Sequence, residues 1–361
     1  GKGGGNGGFC MAADLTLRGF EVRLFELPAF AHTLEPVLQQ GGIALRGVVG
    51  EGFARLALVT ADIQAALDGA DAIMVVVPAI GHRAMARACA PFLQNGQVVV
   101  LTPGCCGGAL EFRQELRLHG NQADVGLAES TSLMYAVKKE GGHRVWARGV
   151  KQGLPLAALP AHQTTAVIER LRPAFSHFVP AVNVLDTSFN NSNHMTHPVP
   201  MLMNMGLVES QRIEEWFFYH DGYTPGTGRA GEQLDAERLA IVRAFDLPEV
   251  SIVEWVQRYY GHQGMRGDTL YELFSSSPVH GPTRGPRTTK SRLITEDIPY
   301  GLVPLASFGR LAGVPTPTMD ALITLAGVVN ETNYWQAGRT IESLGLAGMT
   351  VDEMVHLVSE G

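Results

Sequence analysis

The first eight positions of the chain hold a run of glycines that constrains the fold more than any other feature. Gly3, Gly5 and Gly8 satisfy the spacing G-x-G-x-x-G. In a strand–turn–helix unit the first glycine permits a tight turn, the second lets the backbone approach a diphosphate, and the third lets the helix pack closely on the strand. A flexible glycine linker is the competing interpretation. The sequence that follows favours the unit, because a helical stretch and then a short β-branched run come next.

A carboxylate stands where such a unit needs one. The β-branched run ends at Glu26, roughly 20 residues after the motif, where a carboxylate accepts hydrogen bonds from the ribose hydroxyls of a bound dinucleotide. Leu27 and Pro28 follow, in place of the arginine that would suit a 2′-phosphate, and Glu26 would repel that phosphate. The sequence therefore predicts NAD (as NADH) as the cofactor, with NADP less favoured.

Two further turns follow apolar runs and are predicted to line the cofactor. In doubly wound sheets the ligand lies at the carboxyl ends of the strands, which is where Val77-Pro78-Ala79 and Thr102-Pro103-Gly104 fall. Proline and glycine after a strand are also ordinary turn residues, so this prediction depends on the glycine motif. The predicted cofactor-binding residues are Gly3, Gly5, Asn6, Gly7, Gly8, Glu26, Val77, Pro78, Ala79 and Pro103.

The two halves of the chain differ in their hydrophobic pattern. Short apolar runs alternate with helical stretches in the first half, which is typical of a parallel sheet covered on both faces, whereas helical periodicity dominates from about Thr187. The sequence predicts a Rossmann-like, doubly wound α/β dinucleotide-binding domain over residues 1–185. It predicts an all-α substrate and dimerisation domain over residues 186–361. Strands are expected at Val22 to Glu26, Ala54 to Val59, Ala72 to Val77, Val98 to Leu101 and Arg144 to Val150.

Composition excludes several classes of function. The net charge is −7 and no basic run is present, so nucleic acid is not an expected partner. The longest apolar stretch has nine residues, against about 20 needed to span a bilayer, so no membrane association is expected. The four cysteines show neither disulfide-framework nor metal-site spacing, which predicts no metal and favours a reducing, cytoplasmic location.

The second half contains histidine, arginine and aspartate, the residue types that a reductase acting on C=N or C=O needs. Such chemistry uses a proton donor held by a carboxylate, and a cation for the acid group of the substrate. His194 and His197 lie just before a helix that starts with two prolines, and the spacing does not choose between them. Arg292 precedes Asp297 by five positions. Each of these residues also has a purely structural interpretation. Either histidine can be a packed or surface ring, Arg292 can be a solvated cation, and Asp297 can cap a helix.

At these residues the chain resembles the opine dehydrogenase family over nearly its whole length. The matching segments are Gly3 to Gly8, Val76 to Ile80, Gly108 to Arg113, His197 to Pro200, Asp235 to Arg238, Glu296-Asp297 with Gly301 to Leu305, and Gly338 to Leu346. The resemblance implies reductive condensation of an α-keto acid with the amino group of an amino acid or amine. It implies that His197 and Asp297 are the catalytic pair, that Arg292 binds a substrate carboxylate and also serves catalysis, and that Asn193 matches a family position at the substrate. The segment from Gly261 to Lys290 departs from the family pattern.

Two other functions remain open on the sequence: a reductase that converts 2-keto or 3-keto acids to alcohols, and a nicotinamide sensor without turnover. The glycine- and proline-rich segment Ser276 to Arg287 is expected to form a loop beside the site of the second domain. The aromatic cluster Trp216 to Tyr219 and the methionines after His197 are interpreted as core or dimer surface. A homodimer is therefore expected.

Overall fold

The computed structural model describes residues 5–278 and 280–361, which form two compact units. Unit 1 runs to Gly104 and continues with Gly108–Thr187 and Val358–Gly361. Unit 2 consists of Cys105–Gly107 and Ser188–Leu357. The sequence predicts one boundary after residue 185, whereas the chain enters unit 2 twice and returns to unit 1 at its last residues. A change of hydrophobic period cannot reveal such short crossings.

The described residues of unit 1 form three sheets. The strands are β1 (Arg23–Phe25), β2 (Ile43–Gly47), β3 (Gly52–Ala54), β4 (Leu58–Thr60), β5 (Ala72–Val75), β6 (Val98–Leu101), β7 (Gly126–Ser130), β8 (Tyr135–Lys139), β9 (Arg144–Val150), β10 (Leu154–Leu159) and β11 (Phe178–Pro180). A five-stranded sheet has the order β11-β10-β7-β6-β5, β1 pairs with β4, and a four-stranded sheet has the order β3-β2-β9-β8. The pairs β1–β4, β5–β6 and β6–β7 are parallel, and β7–β10 is antiparallel.

A cavity of about 680 Å³ is lined by both β1 and β5. On one side of this cavity β1 is followed by its neighbour β4, and on the other side β5 is followed by β6 and then β7. The strand order therefore proceeds in two opposite directions from the cavity. This arrangement is the topological switch point at which doubly wound sheets bind ligands. Glycine-rich chain reaches the cavity at Gly5, and Gly1 to Gly4, including the predicted turn residue Gly3, lie outside the described residues.

Helices cover these strands in unit 1. They are α1 (Asn6–Leu17), α2 (Glu35–Gln40), α3 (Ile63–Leu67), α4 (His82–Cys89), α5 (Gly108–Leu118) and α6 (Thr164–Leu171), with α7 (Val184–Phe189) crossing the boundary. Five consecutive residues of α1, Phe9, Cys10, Met11, Ala12 and Ala13, belong to the core that also contains Val98 and Val100 of β6. All four residues of β6 are buried, as its unbroken apolar sequence predicts for a central strand.

Unit 2 is helical, and its described residues contain no strand beyond one isolated bridge between Phe217 and Arg284. Its helices are α8 (Asn193–Thr196), α9 (Pro198–Met203), α10 (Met205–Glu209), α11 (Pro225–Ala244), α12 (Ile252–Tyr260), α13 (Leu270–Ser275), α14 (Arg292–Thr295), α15 (Val303–Leu311), α16 (Pro317–Asn330), α17 (Tyr334–Ala337) and most of α18 (Val351–Ser359), with a π-helix at Ile298–Leu302. Thr224 caps α11 by accepting from Thr227 N, and Pro225 occupies the first turn, where its missing N–H is not needed.

The predicted fold class, an α/β first part with a doubly wound sheet and an all-α second part, is confirmed. The predicted strand Ala54 to Val59 is wrong, because β3 ends at Ala54, β4 begins at Leu58, and the two belong to different sheets. Across the described residues, no helix combines the length and apolar character that a membrane span requires.

Candidate active site

The glycine-rich corner of unit 1 forms the start of α1. Gly5 precedes the helix, and Asn6, Gly7 and Gly8 form its first turn, where backbone N–H groups have no intrahelical carbonyl to bind. No acidic side chain lies in this turn, so nothing there opposes the positive end of the helix dipole. A Cβ on Gly7 would lie 2.9 Å from side-chain carbons of Leu133 and Val76, whereas a Cβ on Gly5 would meet no atom within 4 Å. The open backbone at Gly5 fits the approach of a diphosphate.

Three other segments that contain predicted cofactor residues follow the carboxyl ends of parallel strands. Glu26 comes directly after β1, is 8% exposed, and accepts a hydrogen bond from Leu27 N at 2.9 Å. Val77 to Ala79 follow β5, and Pro103 follows β6 after a cis peptide bond. Gly5, Gly8, Glu26 and Val77 line the same 680 Å³ cavity. The sequence therefore places a helix start, a carboxylate and two strand ends at the edge where this fold binds dinucleotides.

Unit 2 brings both candidate histidines onto one carboxylate. His197 Nδ1 lies 2.8 Å from Oδ2 of Asp297, and His194 Nδ1 lies 3.2 Å from Oδ1. His197 is the residue immediately before α9, held there by Pro198 and Pro200 as the sequence predicts. His194 lies one turn earlier, on α8. The spacing of three residues places both rings on the same side of the helix.

Asp297 does not cap a helix with its side chain. It precedes the π-helix in αR conformation, and its side chain makes no cap hydrogen bond. The carboxylate is 5% exposed, and burial alone would raise its pKa. The electrostatic attraction and the hydrogen bonds of the two imidazole rings, those of His197 first, outweigh burial and hold the pKa of Asp297 well below its ordinary value. The aspartate is therefore ionised at neutral pH and able to orient an imidazole.

Tyr219 is a site residue that the sequence analysis assigned to core or dimer surface. Its hydroxyl lies 3.3 Å from Nε2 of His197, so both ring nitrogens of this histidine have a partner. The ring is buried against Phe218, Phe274 and His280. Burial raises the pKa of Tyr219, with Tyr260 and Asp297 adding to the effect, and the hydroxyl stays protonated at neutral pH. A buried tyrosine hydroxyl needs a polar partner, which is the one signal in the sequence that could have set Tyr219 apart.

Asn193 and Arg292 flank the pair. Asn193 begins α8, and its backbone carbonyl accepts from His197 N. Arg292 begins α14, and its backbone carbonyl accepts from Asp297 N at 3.4 Å. The Arg292 side chain is 70% exposed and lies 3.6 Å from Glu296. Its charge lowers the pKa of Tyr219, opposing the larger effect of burial.

The segment predicted as a loop beside the site, Ser276 to Arg287, packs on the aromatic cluster. Val279 lies outside the described residues. Phe218 N donates to Thr283 O, Gly285 N donates to Trp216 O, and the His280 ring stands edge-on to Tyr219 with centroids 4.9 Å apart. The segment therefore contacts the tyrosine that contacts His197.

Comparisons with known proteins agree on one group. The family described as the alpha-helical domain of NAD/NADP octopine/nopaline dehydrogenase matches residues 180–330. An opine dehydrogenase of Arthrobacter sp. (strain 1C) is 37% identical over 346 residues, which cover 96% of this chain and 94% of that protein. The octopine dehydrogenase of Mizuhopecten yessoensis is 28% identical over 356 residues, 90% of this chain and 88% of that protein. A solved structure of octopine dehydrogenase with NADH and L-arginine superimposes with a TM-score of 0.78 at 22% identity, over 98% of this chain and 96% of that one.

Proposed function

This chain belongs to the opine dehydrogenase family, and from that premise we propose that it uses NADH to condense an α-keto acid reductively with the amino group of an amino acid or amine. Condensation of the two substrates gives an imine and water. Reduction then adds a hydride to the imine carbon and a proton to its nitrogen, which gives a secondary amine. The buried contact of 2.8 Å between His197 and Asp297 carries the proposal, because it holds a proton donor in one orientation.

Unit 1 is the proposed cofactor-binding unit. The N–H groups of Asn6, Gly7 and Gly8 hold the diphosphate, Glu26 accepts from the ribose hydroxyls, and Val77, Pro78, Ala79 and Pro103 line the same edge. When bound, NADH supplies the hydride. Glu26 disfavours a 2′-phosphate, so NADH is preferred over NADPH.

Unit 2 is the proposed source of the proton. His197 holds it on Nε2, while Nδ1–H donates to Asp297 and keeps the ring in one orientation. The Tyr219 hydroxyl accepts from Nε2–H before substrate arrives. The ionised carboxylate of Asp297 lies in direct contact with the ring and pairs with it when the ring carries the proton.

Arg292 and Asn193 are the proposed substrate-binding residues. A guanidinium binds a carboxylate through two parallel hydrogen bonds. The ion pair of Arg292 with Glu296 is long at 3.6 Å, and the Arg292 side chain is largely exposed. The guanidinium can therefore leave Glu296 and bind a substrate carboxylate at a small cost in free energy.

The test follows NADH oxidation with keto acids alone and then with each of a panel of amino acids and simple amines, with product masses recorded. Oxidation that requires both substrates, and a product mass equal to their sum less water plus two hydrogens, supports the proposal. Oxidation by the keto acid alone indicates an alcohol-forming reductase. Cofactor binding without oxidation across the panel indicates a sensor. A His197→Ala variant that binds NADH but retains wild-type turnover would remove His197 from its role.

We also propose a homodimer in a reducing, cytoplasmic setting. On α16, Leu325 and Val328 are 53% and 72% exposed, which is the kind of apolar surface that a second subunit buries. The four cysteines are buried, and no disulfide is formed among the described residues. Light scattering after gel filtration tests the dimer, and a monomer at micromolar concentration contradicts it.

A further inference from the structure

The two histidines on Asp297 differ at their second ring nitrogen. Nε2 of His197 lies 3.3 Å from the Tyr219 hydroxyl. Nε2 of His194 is buried and, among the described residues, has no hydrogen-bond partner. The His194 side chain has no exposed surface, whereas that of His197 is 12% exposed. Only one of the two rings therefore has a second polar contact.

This difference decides which ring can carry an exchangeable proton. A charged imidazole has two N–H donors, and a neutral one has a donor and an acceptor. Protonation of His194 would bury a second N–H that no acceptor reaches, which is costly. His197 escapes this cost, because the Tyr219 hydroxyl can accept from Nε2–H or donate to the bare nitrogen.

We propose that His194 is a positioning residue, a permanently neutral imidazole whose Nδ1–H donates to Asp297 and fixes that carboxylate for His197. The inference rests on the proposed imine reduction for its kinetic consequence but not for its chemistry. Each carboxylate oxygen of Asp297 then accepts from one ring, Oδ1 from His194 and Oδ2 from His197. The hydrogen bond from His194 keeps the carboxylate in place whether His197 is protonated or neutral.

The packing around His194 agrees with a fixed ring. Gly301 lies on the π-helix that follows Asp297, and a Cβ at this position would overlap the His194 ring. A side chain there would displace the imidazole, so the glycine keeps the ring in its place against the π-helix backbone.

The charged and titratable groups around the pair are few. Asp297 contacts His197, and the Tyr219 hydroxyl faces the other side of the His197 ring. Tyr260 raises the pKa of Tyr219, and Arg292 on α14 lowers it. On α11, which packs against α8, Asp235 and Arg238 form a buried ion pair with each other. Within the described part of the chain, Asp297 is the one group in direct polar contact with the His194 ring.

The kinetic test compares two replacements of His194. Asn places a donor at the position of Nδ1, whereas Leu fills similar space without one. For His194→Leu we expect kcat to fall about tenfold or more, while the KM values for both substrates change less than about threefold. For His194→Asn we expect kcat to lie within about threefold of the wild-type value. Without the hydrogen bond from His194, the carboxylate of Asp297 interacts more strongly with His197. The pH above which kcat/KM falls should then rise by about half a unit or more in His194→Leu.

The structural test does not need turnover. Imidazole ¹⁵N spectra of histidine-labelled wild-type protein, assigned by comparison with His194→Asn and His197→Asn, should show His194 as the neutral Nδ1–H form from pH 5 to pH 9. A His194 ring that titrates in this range overturns the inference, as does a His194→Leu profile that superimposes on wild type. Wild-type protein without imine reduction would instead refute the proposed function and leave the spectra to decide on His194.

Discussion

Asp297 is the residue on which the chemistry of unit 2 converges. Its carboxylate is buried, ionised and in contact with two imidazoles, of which one reaches a second polar group at Tyr219. A buried carboxylate in this position orients the His197 ring and selects the tautomer with the proton on Nδ1. Removal of the negative charge should therefore affect the chemical step and leave cofactor binding in unit 1 unchanged.

Asp297→Asn is expected to lower kcat by about 10²- to 10⁴-fold, because the amide neither stabilises the charged ring nor enforces its tautomer. The NADH dissociation constant, measured by fluorescence titration, should stay within about twofold of wild type. Asp320→Asn is the control, since Asp320 is half-exposed on α16 and pairs with Arg310 at 3.3 Å. A loss of NADH affinity that matches the loss of kcat would contradict this assignment.

The contact between His197 and Asp297 could not be predicted from spacing, because 100 positions separate the two residues. Local sequence did predict the setting of His197, since two prolines define a helix start. The pairing came only from the family resemblance. Tyr219 was missed because an aromatic run on an apolar segment has the same pattern whether or not one hydroxyl faces a catalytic ring.

At the scale of elements, α11 is held by one buried cation. Arg238 is 3% exposed, pairs with Asp235, and donates to Asn190 Oδ1 and to the carbonyls of Phe189 and Val250. These contacts connect α11 with the segments before α8 and before α12. The pattern Asp235-Ala236-Glu237-Arg238 thus has a structural role in this chain.

Arg238→Met should reduce the free energy of unfolding by about 3–5 kcal/mol, because it leaves Asp235 as a buried charge without its partner. Arg243→Met on the same helix is the matched control. Its ion pair with Glu249 is exposed, so the expected change is below about 1 kcal/mol. Urea denaturation followed by circular dichroism measures both, and equal losses would show that burial does not determine the effect.

The π-helix has a position that admits only glycine. Gly301→Ala should displace His194 and lower kcat by about tenfold or more while α15 remains folded. Gly206→Ala is the control, because a Cβ there meets no atom within 4 Å and alanine favours the helix. Steady-state kinetics measures kcat, and circular dichroism measures the helical content of both variants. A loss of helical content in Gly301→Ala as large as its loss of activity would contradict the prediction.

Elements were predictable where one physical signal dominated. The strand Val98–Leu101 matches the prediction because it holds three consecutive valines, and Arg144–Val150 matches because it contains two valines and a tryptophan, residues of high β-propensity. The strand Leu154–Leu159 was missed, since its alanines and proline have low β-propensity and its place is set by pairing with β7 and β11. Long-range pairing of this kind is not encoded in any local window of sequence.

At the scale of the whole molecule, the proposed cofactor residues and the proposed proton-handling residues belong to different units. The helix start, Glu26 and the strand ends belong to unit 1, whereas His197, Asp297 and Tyr219 belong to unit 2. The composition and the glycine motif indicated a dinucleotide enzyme. The hydrophobic pattern could not show that the chain crosses between units at Cys105–Gly107.

This division predicts that cofactor selection and proton transfer are energetically independent. Glu26→Gln should lower the preference for NADH over NADPH by about tenfold, because the repulsion of a 2′-phosphate is removed. Glu35→Gln, at an exposed position on α2, should leave the preference unchanged.

The double variant Glu26→Gln/Asp297→Asn tests the independence directly through kcat/KM. Glu26 belongs to unit 1 and Asp297 to unit 2, so their effects on the activation free energy should add to within about 0.5 kcal/mol. The pair His194→Leu and Asp297→Asn should instead depart clearly from additivity, because both changes remove the same hydrogen bond. Strong coupling between Glu26 and Asp297 would mean that the carboxylate of unit 1 influences the proton donor of unit 2, and the separate roles assigned to the two units would then be wrong.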